Sequence, residues 1–265
     1  MSTLTIFLYW IFILFNNNEI AACYWLKHEN MKALNKGFIK NILSETEYQK
    51  ANRLKNEPQR IYIISRIFLR LLLSHHFNYP PQRWRFKSLE KGKPILDMPE
   101  LDEPLYFNIS HCNRYCAIIL SQKSPVGIDT EKINRDFPID TILPRLSSDE
   151  RSHISSCNPQ EKHVDFFRIW TLKEAFLKLI GQGLYYPLNK FSIGLDPILL
   201  SLCEESQNQL LYLEESNSFL DQVVFHQKIL PTNQIISTAI VIDNPMIEPK
   251  MTWKEAKLIE DQLCV

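Results

Sequence analysis

Val126-Gly127-Ile128-Asp129-Thr130-Glu131 is the stretch on which the reading of this chain turns. Side chains alternate along a strand, so Gly127, Asp129 and Glu131 share one face. Two carboxylates on one face repel unless a cation lies between them. Hard oxygen donors at that spacing suit Mg²⁺, which keeps several waters and borrows phosphate oxygens from its substrate. A solvated strand end leading into a turn is the plainer alternative for this stretch taken alone.

Helical periodicity returns from Val164 to Ile180 and stops at Gly181-Gln182-Gly183. Within it, Glu174 and Lys178 are four apart and fall on one face. An exposed pair of that kind is ordinarily surface decoration. Here Phe166, Phe167, Trp170, Phe176, Leu177, Leu179 and Ile180 bury much of the helix, which sets the pair at the rim of a cleft. Glu174 is placed either to complete a metal set or to take a proton from an attacking hydroxyl, and Lys178 to steady a leaving oxygen.

Upstream, Leu105 to Ser110 and Tyr115 to Ser121 read as strands joined by Cys112-Asn113-Arg114, and Gly92-Lys93-Pro94 reads as a turn carrying a lysine. Ser110-His111 ends the first of these strands, a common place to meet a phosphate. Lys50, Arg53 and Lys93 are further candidate phosphate clamps. Ser44 with Glu47 has the spacing of a capping box, and Arg60 to His75 is a strongly apolar helix carrying Arg66 and Arg70 on one face. Pro58 is read as a break before that helix. Ile20 to Lys27 and Met31 to Ile42 are read as short helices, Pro144 to Pro159 as irregular, and Met251 to Gln262 as a closing helix. Leu188 to Leu195, Gln209 to Glu214, Gln222 to Ile229 and Ile235 to Ile242 are read as strands of a second sheet. Helices with antiparallel-looking strands in both halves predict an α+β fold, with a boundary dividing 1–125 from 126–265.

Composition narrows the classes. With 265 residues, 45% of them hydrophobic, the chain can bury a real core, and 15 Pro against 6 Gly without a biased tract excludes a fibrous protein. Thirty basic and thirty acidic residues give no general field for nucleic acid or an anionic membrane. The apolar run Leu4 to Phe15 is too short to span a bilayer and lacks a signal peptide's flanks, so a buried strand, or two strands broken by a bend, is expected, with membrane association as the lesser alternative. Six scattered cysteines without a CxxC pair read as reduced thiols of a cytoplasmic protein. No G-x-S-x-G, G-x-x-x-x-G-K-[ST] or G-x-G-x-x-G is present, which removes the serine-hydrolase and ordinary nucleotide-binding routes.

Four blocks in order give the combination a name. Gly92-Lys93-Pro94, Phe107-Asn108-Ile109-Ser110-His111, Val126 to Glu131, and Trp170-Thr171-Leu172-Lys173-Glu174-Ala175 continuing to Lys178 and Gly181-Gln182-Gly183-Leu184 resemble the 4′-phosphopantetheinyl transferases of the surfactin-synthetase-activating type. The resemblance covers roughly residues 40 to 195. It implies a pseudo-dimer of two similar α+β subdomains with coenzyme A in the cleft between them. It implies Mg²⁺, with Mn²⁺ able to substitute, on Asp129, Glu131 and Glu174. Ser110, His111, Gly92, Lys93, Pro94, Lys173, Lys178 and, more loosely, Lys50 and Arg53 would then line the cofactor, with Glu174, Lys178 and His111 catalytic. The implied reaction moves the phosphopantetheine arm onto a serine of an apo carrier protein of fatty-acid, polyketide or non-ribosomal peptide synthesis. A monomer would suffice. Thr130 between the carboxylates and Cys112 after His111 depart from the family's usual residues. Two rivals stand beside this reading: another Mg²⁺-dependent enzyme on a coenzyme A-like or phosphorylated substrate, and a non-catalytic binding protein of the same fold.

Overall fold

The apolar run after residue 18 forms a strand where a helix was expected. In the computed structural model, which describes residues 19–28, 34–183, 186–193, 205–209, 211–213, 223–242, 250–259 and 262–264, Glu19–Lys27 is β1. Both of its faces are buried: Ala22, Tyr24 and Leu26 enter one core and Ala21, Cys23 and Trp25 another. A strand covered on both sides has no polar alternation, so its pattern cannot be told from a buried helix. The run Leu4 to Phe15 and Leu184 lie outside the described residues.

Three helices follow. α1 (Lys36–Ile42) is capped by Asn35, whose side chain accepts from the Gly37 amide at 2.7 Å. α2 (Glu45–Arg53) carries the expected Ser44–Glu47 capping box. α3 (Asn56–Phe77) holds Pro58 in its first turn, where a missing N–H costs nothing, so Pro58 does not break it. Then come the hairpin β2 (Phe86–Ser88) and β3 (Pro94–Leu96), the hairpin β4 (Tyr106–Cys112) and β5 (Tyr115–Ser121), and β6 (Val126–Lys132).

After β6, which opens the second half, comes α4 (Ser148–Ser156), inside the segment expected to be irregular. Ser147 and Glu150 form a capping box there, and that S-x-x-E spacing was readable in the sequence. α5 (Lys162–Ile180) ends on Gly181 at φ 69°, a left-handed cap. The strands β7 (Phe191–Ile193), β8 (Glu205–Gln209), β9 (Leu211–Leu213), β10 (Val223–Ile229) and β11 (Gln234–Val241) follow. The expected closing helix is instead β12 (Lys250–Ile259), with β13 (Gln262–Cys264) beside it. β12 pairs parallel with β1, and that tertiary pairing overrides the helix-forming Lys, Glu and Ala of the segment.

Beside the two-stranded β2-β3 and β7-β9, two main sheets result, ordered β13-β12-β1-β5-β4 and β6-β11-β10-β8. Each repeats one plan: a strand, then helices, then a hairpin whose second strand pairs antiparallel with the first strand. The α+β fold is therefore two lobes of like topology, and β12 returns from the C-terminal segment to join the first. The sheets face each other across Ala21, Cys23, Ala117 and Ile119 on one side and Val126, Ile128, Ile236 and Ile240 on the other. α3 covers the outer face of the first sheet through Phe68, Leu69 and Leu72, and α5 that of the second through Leu172, Phe176 and Leu179. Among the described residues, no helix is long and apolar enough to cross a membrane.

α5 lies on β6 so closely that Gly127 admits no side chain: a Cβ there would sit 2.0 Å from the Ala175 carbonyl oxygen and 2.5 Å from the Leu179 amide nitrogen. Both neighbours are backbone, so neither can rotate away. Gly127→Ala is expected to cost more than about 4 kcal/mol, among the largest single-residue effects, read as a drop in the denaturant midpoint or as loss of soluble protein.

Two histidines are enclosed without a partner on Nε2, His76 and His226. Burial is the first cause holding them neutral, lowering His76 to about 3 and His226 to about 4. Below about pH 6.5 the unfolded chain therefore binds protons that the folded chain refuses. Taken alone, the two should lower stability by up to about 2.7 kcal/mol per pH unit as pH drops from about 6.5 toward about 4, and the raised Glu174 carboxyl works against them with the opposite sign. Urea titrations at pH 7, 6 and 5 measure the slope, and His226→Gln should remove roughly half of the histidines' contribution.

Candidate active site

The seam between β4 and β6 builds the site. Both are edge strands, and no ladder joins them. On β4, Asn108, Ser110 and Cys112 alternate onto the face turned to β6. The Asn108 side-chain carbonyl accepts from the Ile128 amide at 3.0 Å, and Ser110 Oγ accepts from the Thr130 amide at 3.3 Å. Side chains thus take the amides that β6 would otherwise leave unpaired. On its other side β6 is paired to β11, and Thr130 is locked there by Gln234 and the Ile235 carbonyl.

Gly127, Asp129 and Glu131 face α5, as the alternation requires. Asp129 Oδ1 accepts from Ser110 Oγ at 2.9 Å and from Lys178 Nζ at 2.6 Å, and Lys178 also donates to Ser110 Oγ at 2.8 Å. Lys178 is thus paired with Asp129 across the interface, not with Glu174 along its own helix. The second Asp129 oxygen, Oδ2, is buried without a partner, and so is Glu174 Oε1. Burial, then the Asp129 charge, pushes the Glu174 carboxyl up to about 7. Burial also raises Glu131, with Asp129 adding to the effect. Buried carboxylate oxygens without donors are expensive, and here two come from one cluster beside a third carboxylate. A hard divalent cation is the group that such an all-oxygen set fits.

Cys112 donates to Glu131 Oε2 at 2.9 Å, which the sequence reading passed over. So was Asn108. Both share the alternation of Ser110 along Phe107 to Cys112, and that period was the available signal.

The other candidates divide. His111 alternates onto the opposite face of β4 from Ser110 and is exposed. The Gly92-Lys93-Pro94 turn reaches the C-terminal end of α5, where Lys93 Nζ donates to the Leu179 carbonyl at 2.9 Å and to that of Val126 at 3.3 Å. Its ammonium is committed to backbone, and burial lowers it to about 8. It is therefore a strut of the turn, which corrects its reading as a phosphate clamp. Gly92, at φ 87°, makes the turn possible. Beside it opens a cavity of about 260 Å³ lined by Leu89, Ile95, Phe107, Val126, Ile180 and Gly181 among others. Lys50 and Arg53 lie exposed in the last turn of α2, Lys50 with its ammonium 5.3 Å from the Tyr62 ring centre.

Lys173 is a correction. Its side chain is fully enclosed, donating to Glu150 Oε1 at 2.7 Å and to the Phe191 carbonyl at 2.5 Å. Consecutive helix residues are 100° apart, so Lys173 points to the core of the second lobe while Glu174 points to the seam. Glu150 also accepts from the Ile193 amide at 2.8 Å. This ion pair ties α4, α5 and β7 together and leaves Lys173 nothing for a ligand.

Comparison with known proteins points to one family. The profile of the 4′-phosphopantetheinyl transferase superfamily matches residues 125–227, and that of the 4′-phosphopantetheinyl transferase N-terminal region matches residues 35–123. The chain is 29% identical over 157 residues to 4′-phosphopantetheinyl transferase gsp of Aneurinibacillus migulanus, covering 59% of this chain and 63% of that one. It is 29% identical over 158 residues to 4′-phosphopantetheinyl transferase Sfp of Bacillus subtilis, covering 58% and 67%. With 4′-phosphopantetheinyl transferase HetI of Nostoc it shares 31% over 157 residues, covering 58% and 66%. The match thus spans a little under two thirds of the first relative's length. The two profiles meet at the β5–β6 connection and between them take in α1 to α5 and the whole β4–β6 seam. This chain belongs to the 4′-phosphopantetheinyl transferase superfamily.

Proposed function

We propose that the chain transfers the 4′-phosphopantetheine arm of coenzyme A to a serine hydroxyl of an apo carrier protein and releases adenosine 3′,5′-bisphosphate. The observation that carries this reading is the pair of buried, donor-less oxygens, Asp129 Oδ2 and Glu174 Oε1, in one cluster with the Lys178 ammonium. Asp129, Glu131 and Glu174 would hold a Mg²⁺ ion. When bound, that ion offsets the charge of a pyrophosphate.

The chain's own groups supply the rest. Glu174 is the carboxylate assigned to take the proton of the incoming serine. The serine oxygen bonds to the phosphorus that bears the pantetheine, and the bond to the bridging oxygen breaks. The electron pair leaves with adenosine 3′,5′-bisphosphate. Lys178, anchored by Asp129 and Ser110, sets a positive charge where negative charge grows on the phosphoryl oxygens. Ser110 is no rival nucleophile, because the lone pairs of its hydroxyl already accept from Lys178 and the Thr130 amide. The exposed His111, with Lys50 and Arg53 farther along the first lobe, is assigned to the anionic end of the cofactor, and the cavity beside Gly92 to its base. The metal requirement, the cytoplasmic setting and action as a monomer belong to the same proposal, the last because both lobes lie in one chain.

The chain is to be incubated with coenzyme A, Mg²⁺ and a panel of apo carriers from fatty-acid, polyketide and non-ribosomal peptide synthesis. One carrier at least should gain the mass of one arm, and modification of none overturns the reading. Asp129→Ala and Glu174→Ala should each lower transfer by about 10²–10³-fold or more with the fold kept, and chelation should abolish a transfer that added Mg²⁺ restores.

Lys173 and Lys178, both on α5, should separate cleanly. Lys178→Met is expected to lower kcat about 10²-fold and to lose less stability than Lys173→Met, because Lys178 is partly exposed and Asp129 keeps the Ser110 hydroxyl. Lys173→Met strands the Glu150 carboxylate in the core, so it should lose about 3–5 kcal/mol of stability. Steady-state kinetics and urea denaturation on both variants check the contrast.

A further inference from the structure

On the far side of α5 from the active site, the C-terminal end of α4 meets the first turn of α5 through three potential metal donors. His153 Nε2 is 2.8 Å from Asp165 Oδ2 and 3.8 Å from Cys157 Sγ, and Cys157 Sγ is 3.3 Å from Asp165 Oδ2. All three side chains are half-buried. His153 and Cys157 are four apart, which brings both to one side of α4's last turn. Asp165 joins them because the turn between the helices is short and stiff: Asn158 accepts from the Gln160 and Glu161 amides at 3.0 Å each.

We infer that these three side chains form a zinc-class cation site, independent of the coenzyme A site, that staples α4 to α5. A tetrahedral zinc bonds sulfur at ~2.3 Å and nitrogen or oxygen at ~2.0 Å, which sets its donors about 3.3–3.6 Å apart. The two sulfur distances lie within a few tenths of an ångström of that range, and only His153 and Asp165 must part, by about half an ångström. Sulfur with imidazole selects a transition metal over Mg²⁺, so the hard carboxylate cluster at the seam does not compete for the same ion. His153 opens to solvent on one side, leaving the fourth position to water.

Without a cation, Cys157 is a thiol donating to Asp165, pushed up to about 11 by burial and then by that carboxylate. Binding therefore releases the thiol proton to solvent and turns the sulfur into a thiolate ligand. Affinity should fall as pH is lowered, since the proton and the metal exchange at one sulfur.

The test uses the full chain, reduced, stripped with chelator and returned to excess Mg²⁺, on a Cys112→Ser background so that the sulfur beside Glu131 cannot contribute. Zn²⁺ should bind at one equivalent and raise the thermal midpoint by about 5–10 °C at free zinc a hundredfold above its Kd. Co²⁺ should give a thiolate-to-cobalt charge-transfer band. Both signals should vanish in Cys157→Ser and in His153→Asn, with circular dichroism showing each variant folded. Absence of the band, or a band that survives Cys157→Ser or His153→Asn, overturns the assignment. If either variant fails to fold, Asp165→Asn is read in its place, with the same outcomes.

Discussion

Two sheet edges meet at β4 and β6 without forming a ladder, and the rest of the molecule depends on how that edge is closed. An open edge leaves a row of amides without partners. Here the Asn108 and Ser110 side chains take the Ile128 and Thr130 amides, and Asn108 and Ser110 thereby act as a surrogate strand. The closure joins the two lobes at a fixed spacing. It also fixes Ser110, through which Asp129 and Lys178 are aligned. A ladder would have satisfied the same amides but would have brought the strands to ~4.8 Å and left no room for side chains between them. Closing the edge by side chains is what makes space for a polar cluster.

α5 is the element that serves both needs. One side presses Phe176 and Leu172 into the second lobe and buries the Lys173–Glu150 pair. The adjacent side lays Glu174 and Lys178 against β6, so close that only glycine fits at residue 127. Rigid placement of this kind lets carboxylates remain without donors. The buried ion pair and Gly127 fix the helix against β6 in a position where Lys178 reaches Asp129 and Ser110 and not Glu174.

Much of this was legible in the residues, and the failures have physical reasons. The period of two in Val126 to Glu131 was enough to put Gly127, Asp129 and Glu131 on one face, because β6 is an edge strand with distinct sides. β1 was misread as a helix because both of its faces are apolar, and β12 because its partner, β1, lies more than two hundred residues away in sequence. α4 was missed although Ser147 and Glu150 announced it, since the polar Ser-Asp-Glu-Arg-Ser run hid the box. The glutamate of that box then turned out to neutralise Lys173, a contact between residues 23 apart in sequence that no local pattern contains. Lys93 illustrates the same limit: its motif placed it correctly at the turn, but only the tertiary approach to the Leu179 carbonyl shows its charge already in use.

The adjacency of Lys173 and Glu174 sharpens what a motif can mean. Both belong to the same short signature, and either could be taken as a ligand-binding residue from its chemistry. A rotation of 100° separates them, one to a core and the other to a seam. Burial then acts on the two in opposite senses, drawing the ammonium down to about 8 and the carboxyl up to about 7. The ammonium meets a carboxylate and a backbone carbonyl that satisfy it, so its perturbation is structural. The carboxyl has an oxygen that no described residue satisfies, so its perturbation is left for a ligand to relieve. A shifted acid or base marks a candidate functional group only where its polar atoms remain unmet, and by that criterion the signature contains one structural lysine and one glutamate left open to a ligand.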